Sequence, residues 1–107
     1  MELTIDLLRK LSNDDTMMVT QHAEMRCRLR GIRLDDIQSA IRTGEIIESY
    51  PDDFPHPSCL VSGTDCRELP LHVVAGASKE TLWIITAYQP SIQKWKNDFK
   101  TRKAANE

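Results

Sequence analysis

A chain of 107 residues with 40% apolar side chains holds one core and leaves no room for a second independent domain. Charged residues make up 28%, the net charge is −2 and the mean hydropathy is −0.43. No apolar run approaches the roughly 20 residues a helix needs to cross a bilayer, and a pI near 5.9 argues against a protein that coats nucleic acid. The first residues, Met1-Glu2-Leu3-Thr4-Ile5-Asp6, carry acid where a secretory leader needs base, so the expected location is cytoplasmic.

Leu3, Leu7, Leu8 and Leu11 share one face of a short first helix that frays at Asn13-Asp14-Asp15. Met17-Met18-Val19 either begins the next helix or forms a short strand. Thr20 is the expected N-cap of a second helix and Gly31 its end. At 100° per residue, Met25, Leu29 and Ile32 fall in one stripe, the expected core face. His22, Arg26 and Arg30 run along its border at i, i+4 and i+8, while Glu24 and Arg28 point the other way. A third helix buries Leu34, Ile37, Ala40 and Ile41, places Asp35 and Asp36 in its first turn, and stops at Gly44 in the C′ position.

The periodicity then changes. Residues 45–50 read as a strand, 51–57 as a proline-punctuated loop, and 58–62, 69–77 and 81–88 as three further strands. Ser78-Lys79-Glu80 is the expected connection of the last two, which sets His72 opposite Thr86; a two-residue loop would break that pairing. Ser91 can cap a final helix with Ile92, Trp95 and Phe99 buried and Lys96, Lys100 and Lys103 in a row beside them. Three helices, four strands and one helix predict an α+β domain, its helices packed mainly on one face of a four-stranded antiparallel sheet.

Charge comes in blocks. Arg26, Arg28, Arg30 and Arg33 crowd the segment from Thr20 to Arg33, acids dominate from Asp35 to Asp65, and lysines and arginines return from Lys94 to Lys103. The three cysteines, Cys27, Cys59 and Cys66, are an odd count that gives no disulfide framework. His56, Cys59, Cys66 and His72 have a spacing that matches no common zinc pattern, so neither a metal nor a cofactor is expected. The chain has no glycine-rich phosphate loop, HExxH or serine elbow.

What remains is the His22–Arg26–Arg30 ridge, the strand histidine His72, Tyr50 and Tyr88 at strand ends, and the lysine row. The plain reading of His72 is a half-buried residue bonded to a neighbour, of the tyrosines a rim packing, and of Trp83 and Trp95 core. The functional reading is an anion site, for RNA phosphate above all, that works without metal.

His22-Ala23-Glu24-Met25-Arg26, Arg30-Gly31-Ile32, Asp36-Ile37 and Gly44-Glu45-Ile46-Ile47-Glu48-Ser49-Tyr50-Pro51 resemble the domain-of-unknown-function family 4258 (DUF4258). So do Pro70-Leu71-His72-Val73-Val74 and Ile85-Thr86-Ala87-Tyr88-Gln89-Pro90 leading to Trp95. The resemblance covers residues 20–99 as a core, with 1–19 an N-terminal extension of the same single domain. It implies a RelE-like fold of the RelE/BrnT class. It also implies the toxin of a type II toxin–antitoxin pair, acting as a metal-independent mRNA endoribonuclease. The implied partners are a small zinc-finger or helix-turn-helix antitoxin encoded nearby and mRNA or the ribosome, with no membrane. In that role His22 or His72 serves as base or acid, and Arg26 and Arg30 hold phosphate. Tyr88 donates or stacks, and Lys96, Lys100 and Lys103 steer RNA. His72 and the ridge are expected to converge on one cleft, with neither histidine deep in the core. The alternative is a non-catalytic module that binds protein or nucleic acid.

Overall fold

The computed structural model describes residues 2–104. Helix α1 (Ile5–Leu11) starts at Thr4, whose hydroxyl accepts the Leu7 N–H at 3.2 Å. Arg9 donates to the carbonyls of Ile41 at 3.3 Å and Gly44 at 2.9 Å. It thereby satisfies carbonyls at the end of α3 (Leu34–Thr43), which have no partner within that helix. Leu3, Leu8, Leu11 and Met17 join the same core as the sheet, so the N-terminal extension is an integral part of the fold.

Met17-Met18-Val19 is strand β1 (Met17–Val19), paired parallel to β5 (Leu82–Tyr88) with Met17 opposite Leu82 and Val19 opposite Ile84. With β2 (Glu45–Tyr50), β3 (Ser58–Thr64) and β4 (Pro70–Ala77), it makes a five-stranded sheet in the order β1-β5-β4-β3-β2. The expected sheet of four antiparallel strands is therefore corrected to a mixed sheet of five. Three residues are too few to show a period, and the partner strand lies far along the chain.

Helix α2 (Gln21–Leu29) begins as expected: the Thr20 hydroxyl accepts the Ala23 N–H at 3.1 Å. It ends at Gly31, in the left-handed region at φ 69°. Its buried face differs from the expected one. Ala23, Cys27 and the following Ile32 are buried, whereas Met25 is 56% and Leu29 82% exposed. Two small side chains let the helix lie close on β5, and bulkier ones would hold it off. On α3, Leu34 is exposed while Ile37, Ala40 and Ile41 are buried.

The sheet alternates between its two faces except where bulges interrupt β2 and β5. Val61, Leu71, Val73, Ala75, Leu82 and Ile84 face the helices in one core. Ser62 and His72 face away from it, and so does Tyr88, which stands opposite His72. The pairing of His72 with Thr86 does not occur. Residues 78–81 form the turn, Ala77 stands opposite Leu82, and a bulge between Val74 and Ala75 shifts the ladder so that Thr86 meets Val74.

Helix α3 lies directly on β3. A Cβ at Gly63 would stand 2.1 Å from the Ala40 carbonyl oxygen, and one at Gly44 would stand 2.5 Å from the same atom. Gly44 is in an extended conformation at φ −96°, so close approach rather than a left-handed C′ turn requires the glycine.

The expected C-terminal helix is absent. After one turn, in which Trp95 N–H bonds the Ser91 carbonyl at 3.0 Å, the chain doubles back. Trp95 bridges Arg102, and Lys96 N–H meets the Thr101 carbonyl at 2.8 Å. Asp98 accepts from the N–H groups of Lys100 and Thr101, a local alternative to helical bonding. This segment forms a strap over the sheet face opposite the helices.

Candidate nucleic-acid interface

The ridge exists, and α2 together with the edge of β5 positions it. His22 and Arg26 lie on α2, and Arg30 is its C-cap residue. Strand β1 covers β5 only as far as Ile84, so the carbonyl of Ala87 lies beyond that pairing. Arg30 supplies the donor, reaching the Ala87 carbonyl at 2.7 Å and the Thr86 hydroxyl at 3.3 Å. Gln89 donates back to the Arg30 carbonyl at 3.5 Å. Arg28 is occupied by Glu24 at 2.9 Å, but among the described residues Arg26 has no acidic partner. His22, Met25, Arg26, Leu29 and Arg30 line a shallow depression of about 340 Å³ that contains no carboxylate. Met25 and Leu29, expected in the core, are thus exposed among the cationic side chains of this surface.

His72 lies elsewhere and is enclosed, at 0% exposure, against the expectation of a half-buried residue. Its Nε2–H donates to the Phe99 carbonyl at 2.6 Å, and Nδ1 accepts from the Tyr88 hydroxyl at 3.3 Å, an assignment to the neutral ring that satisfies both atoms. Trp95 and Tyr88 pack edge-on, with ring centroids 4.6 and 5.3 Å away. Burial pushes the His72 pKa down against the opposing pull of the Phe99 carbonyl, and burial pushes Tyr88 up. The same carbonyl also accepts the Ser62 hydroxyl at 3.0 Å, and Phe99 sits in the left-handed region at φ 55°. Two strand side chains thus hold the strap at a strained residue.

Outside this point, Arg102 grips Glu48 through two bonds of 2.7 and 3.1 Å and lies over Trp95, 4.6 Å from the ring centroid. The Tyr50 hydroxyl donates to the same carboxylate. The Arg102 bonds hold the Glu48 carboxyl below its ordinary range, and the bond to Glu48 pushes Tyr50 up. The lysines do not form a helical row. Lys100 pairs with Glu45 at 2.9 Å, Lys103 is half-buried, and Lys96 is tied through its backbone to Thr101.

Sequence periodicity therefore brings His22, Arg26 and Arg30 together, while His72 and Tyr88 sit under the strap and line no part of the ridge depression. The two groups touch one strand: Arg30 holds Ala87, the neighbour of Tyr88. Glu48 and Arg102 were missed as a pair; the available signal was the alternation that puts Glu48 and Tyr50 on one face of β2. Trp83, expected in the core, is half-buried on the outer face and stacked on His56. Among the described residues no group of three or more His, Cys, Asp or Glu is arranged to hold a metal ion. Cys27 and Cys59 are buried, Cys66 is exposed, and all three are free. No described helix is long and apolar enough to cross a membrane.

These features define a small α+β domain with helices on one sheet face, a strap on the other, and a cationic ridge at the edge between. The chain belongs to the family described as Domain of unknown function (DUF4258), whose model matches residues 19–89. That segment contains the ridge, His72 and Tyr88, and leaves α1 and the strap outside. No curated protein and no solved structure matches the chain significantly.

Proposed function

We propose that this domain is the toxin of a type II toxin–antitoxin pair and engages RNA through the α2 ridge. One observation carries the reading: an exposed imidazole and two guanidinium groups border a depression that contains apolar side chains and no acid. A single-stranded polyanion with flat, apolar bases matches that surface, and planar guanidinium forks suit its phosphates. Membership of the DUF4258 family, whose sequence resemblance implies a RelE-class toxin, suggests the biological setting.

Cleavage without metal forms a bond from the 2′-oxygen to phosphorus and breaks the bond to the 5′-oxygen. It leaves a 2′,3′-cyclic phosphate and a 5′-hydroxyl. His22 is the acceptor on the ridge for the 2′-hydroxyl proton, the leaving 5′-oxygen takes its proton from water, and Arg26 and Arg30 lie on the phosphate. Enclosure of His72 favours a second reading, in which the ridge binds RNA without cutting it, because both ring nitrogens are already engaged within the fold.

The test is induced expression in a bacterium, with and without the neighbouring gene, scored for growth and RNA integrity, beside binding by purified protein. The toxin reading expects growth arrest relieved by the neighbour and cyclic-phosphate ends that disappear in His22→Ala. Tight binding with intact RNA selects the second reading. Unchanged RNA affinity in Arg26→Ala overturns both.

A further inference from the structure

A second depression, of about 330 Å³, opens between the proline loop and β5, around the sheet edge from the ridge. Its walls are aromatic. The imidazole of His56 stacks on the indole of Trp83, with centroids 4.2 Å apart and planes 10° from parallel. Phe54 stands beside them with 95% of its surface exposed, so the fold gains almost nothing from this ring. Ile85, lying at the ladder shift of β5 and 39% exposed, lines it as well. Asp53, its carboxylate engaged by the Ser58 hydroxyl, offers an acceptor at the wall.

The depression and the ridge share no lining residue, but both are tied to strand β5. Thr20 lines the depression, caps α2 two residues before His22, and bonds through its N–H to the Ile84 carbonyl at 3.3 Å. Arg30 is seated two and three positions further along, on Thr86 and Ala87. Both ends of α2 are therefore fixed to β5, with an aromatic pocket at the first end and the cations running towards the second.

We propose that this pocket receives one unpaired nucleobase of the RNA strand whose phosphates lie on His22, Arg26 and Arg30. The proposal rests on the RNA-binding reading above and names what that reading leaves open: how a strand is gripped by more than its charge. A base has a flat face for the His56–Trp83 stack and for Phe54, and an edge that can donate to Asp53. A duplex keeps its bases stacked inside and cannot fill the pocket. An apolar peptide side chain would fit the walls but not the cationic ridge beginning two residues from the rim.

The experiment uses the full chain, a labelled single-stranded oligoribonucleotide, and an abasic oligomer with the same number of phosphates. Wild type should bind the natural strand about ten- to a hundredfold more tightly than the abasic one, the range that base–aromatic stacking contributes. Phe54→Ala should remove most of that difference and leave abasic binding unchanged; the ring is exposed, so folding does not depend on it, and an unchanged Tm checks this. His56→Ala should act in the same direction. Arg26→Ala should weaken both strands alike. Equal affinity for the two strands, or a Phe54→Ala protein that binds the natural strand like wild type, overturns the pocket while leaving the ridge intact. An Arg26→Ala protein with unchanged affinity for both strands overturns the ridge reading instead.

Discussion

Replacing His72 with alanine should destabilise the domain strongly, which separates this histidine from His22. The imidazole is fully buried, donates to the Phe99 carbonyl, accepts from Tyr88 and packs on Trp95. Loss of a partner at a buried polar group costs about 1–3 kcal/mol, and the void left by the ring adds about 1–2 kcal/mol. Ser62 still serves the Phe99 carbonyl, so the lower half of the combined range applies, about 2–3 kcal/mol. For a chain of this length, that lowers Tm by roughly 8–24 °C. His22→Ala, at an exposed helix position, should stay within about 0.5 kcal/mol of wild type. Urea and thermal unfolding followed by circular dichroism measure both. A His72→Ala protein within 1 kcal/mol of wild type would refute the enclosed, structural role. Acid supplies a second arm. Burial lowers the folded pKa of His72, with Arg102 acting in the same direction and Glu48 against it. The unfolded chain therefore takes up a proton that the fold refuses. The stability contributed is complete above about pH 6.5 and is lost as pH falls below it towards the folded value. His72→Gln should flatten that part of the stability profile.

Arg26→Ala should weaken RNA binding by about tenfold and reduce the slope of log affinity against log salt by about one, with no change in Tm; filter binding at several salt concentrations reads it. Gly63→Ala should cost about 3 kcal/mol or prevent folding, because its Cβ would meet the Ala40 carbonyl oxygen at 2.1 Å. Gly76→Ala, whose Cβ has ordinary contacts at 3.5 Å, should fold, and a Gly63→Ala protein as stable as wild type would refute the contact. A thiol reagent should modify exposed Cys66 first, although desolvation and the Asp36 carboxylate push its thiol up as well, and Cys27 and Cys59 only on unfolding, since both are buried and burial pushes Cys59 up to about 12; equally rapid reaction at all three would refute this.

Local chemistry was legible in the sequence where one residue type serves one local purpose. Thr20 as a cap, Gly31 as a stop, the α3 stripe and the positions of four strands follow from side chains acting within a few residues of themselves. The ridge was legible for the same reason, since i, i+4 and i+8 are neighbours on any helix. The core side of α2 was not. Hydrophobicity ranks Met25 and Leu29 above Ala23 and Cys27, but the sheet selects by size how closely a helix can approach. The strap was illegible because its shape is set from outside: Ser62 and His72, far back in the chain, capture the Phe99 carbonyl and hold that residue in a conformation no helix contains. The register of His72 failed on two counts of one residue each: the turn takes four residues rather than three, and a bulge leaves no mark in the alternation of so short a strand.

The strap decides whether the polar face of the sheet meets solvent, and Arg102 is its fastening. Removing this side chain breaks both bonds to Glu48 and uncovers one face of Trp95. A partly exposed two-bond pair contributes about 1 kcal/mol, and the cation over the indole about 0.5–1 kcal/mol more. Arg102→Ala should therefore lose about 1.5–2 kcal/mol and speed amide exchange across residues 91–103, with little change in β3 and β4. It should also remove an acid-side dependence. Arg102 holds the Glu48 carboxyl below its ordinary value, so the pair stabilises the fold above about pH 4.3 and its contribution is lost as pH falls further. The variant should lack that loss. Exchange that stays slow throughout the strap of Arg102→Ala would show that the grip on Phe99 alone holds it down. The arrangement matters for the family: the match at residues 19–89 takes in Glu48, His72 and Tyr88, whereas Trp95, Phe99 and Arg102, which close over them, lie beyond it. His72 is thus buried by a part of the chain outside the family match, while His22 lies exposed inside it, and only the second is accessible to a ligand without a change in fold.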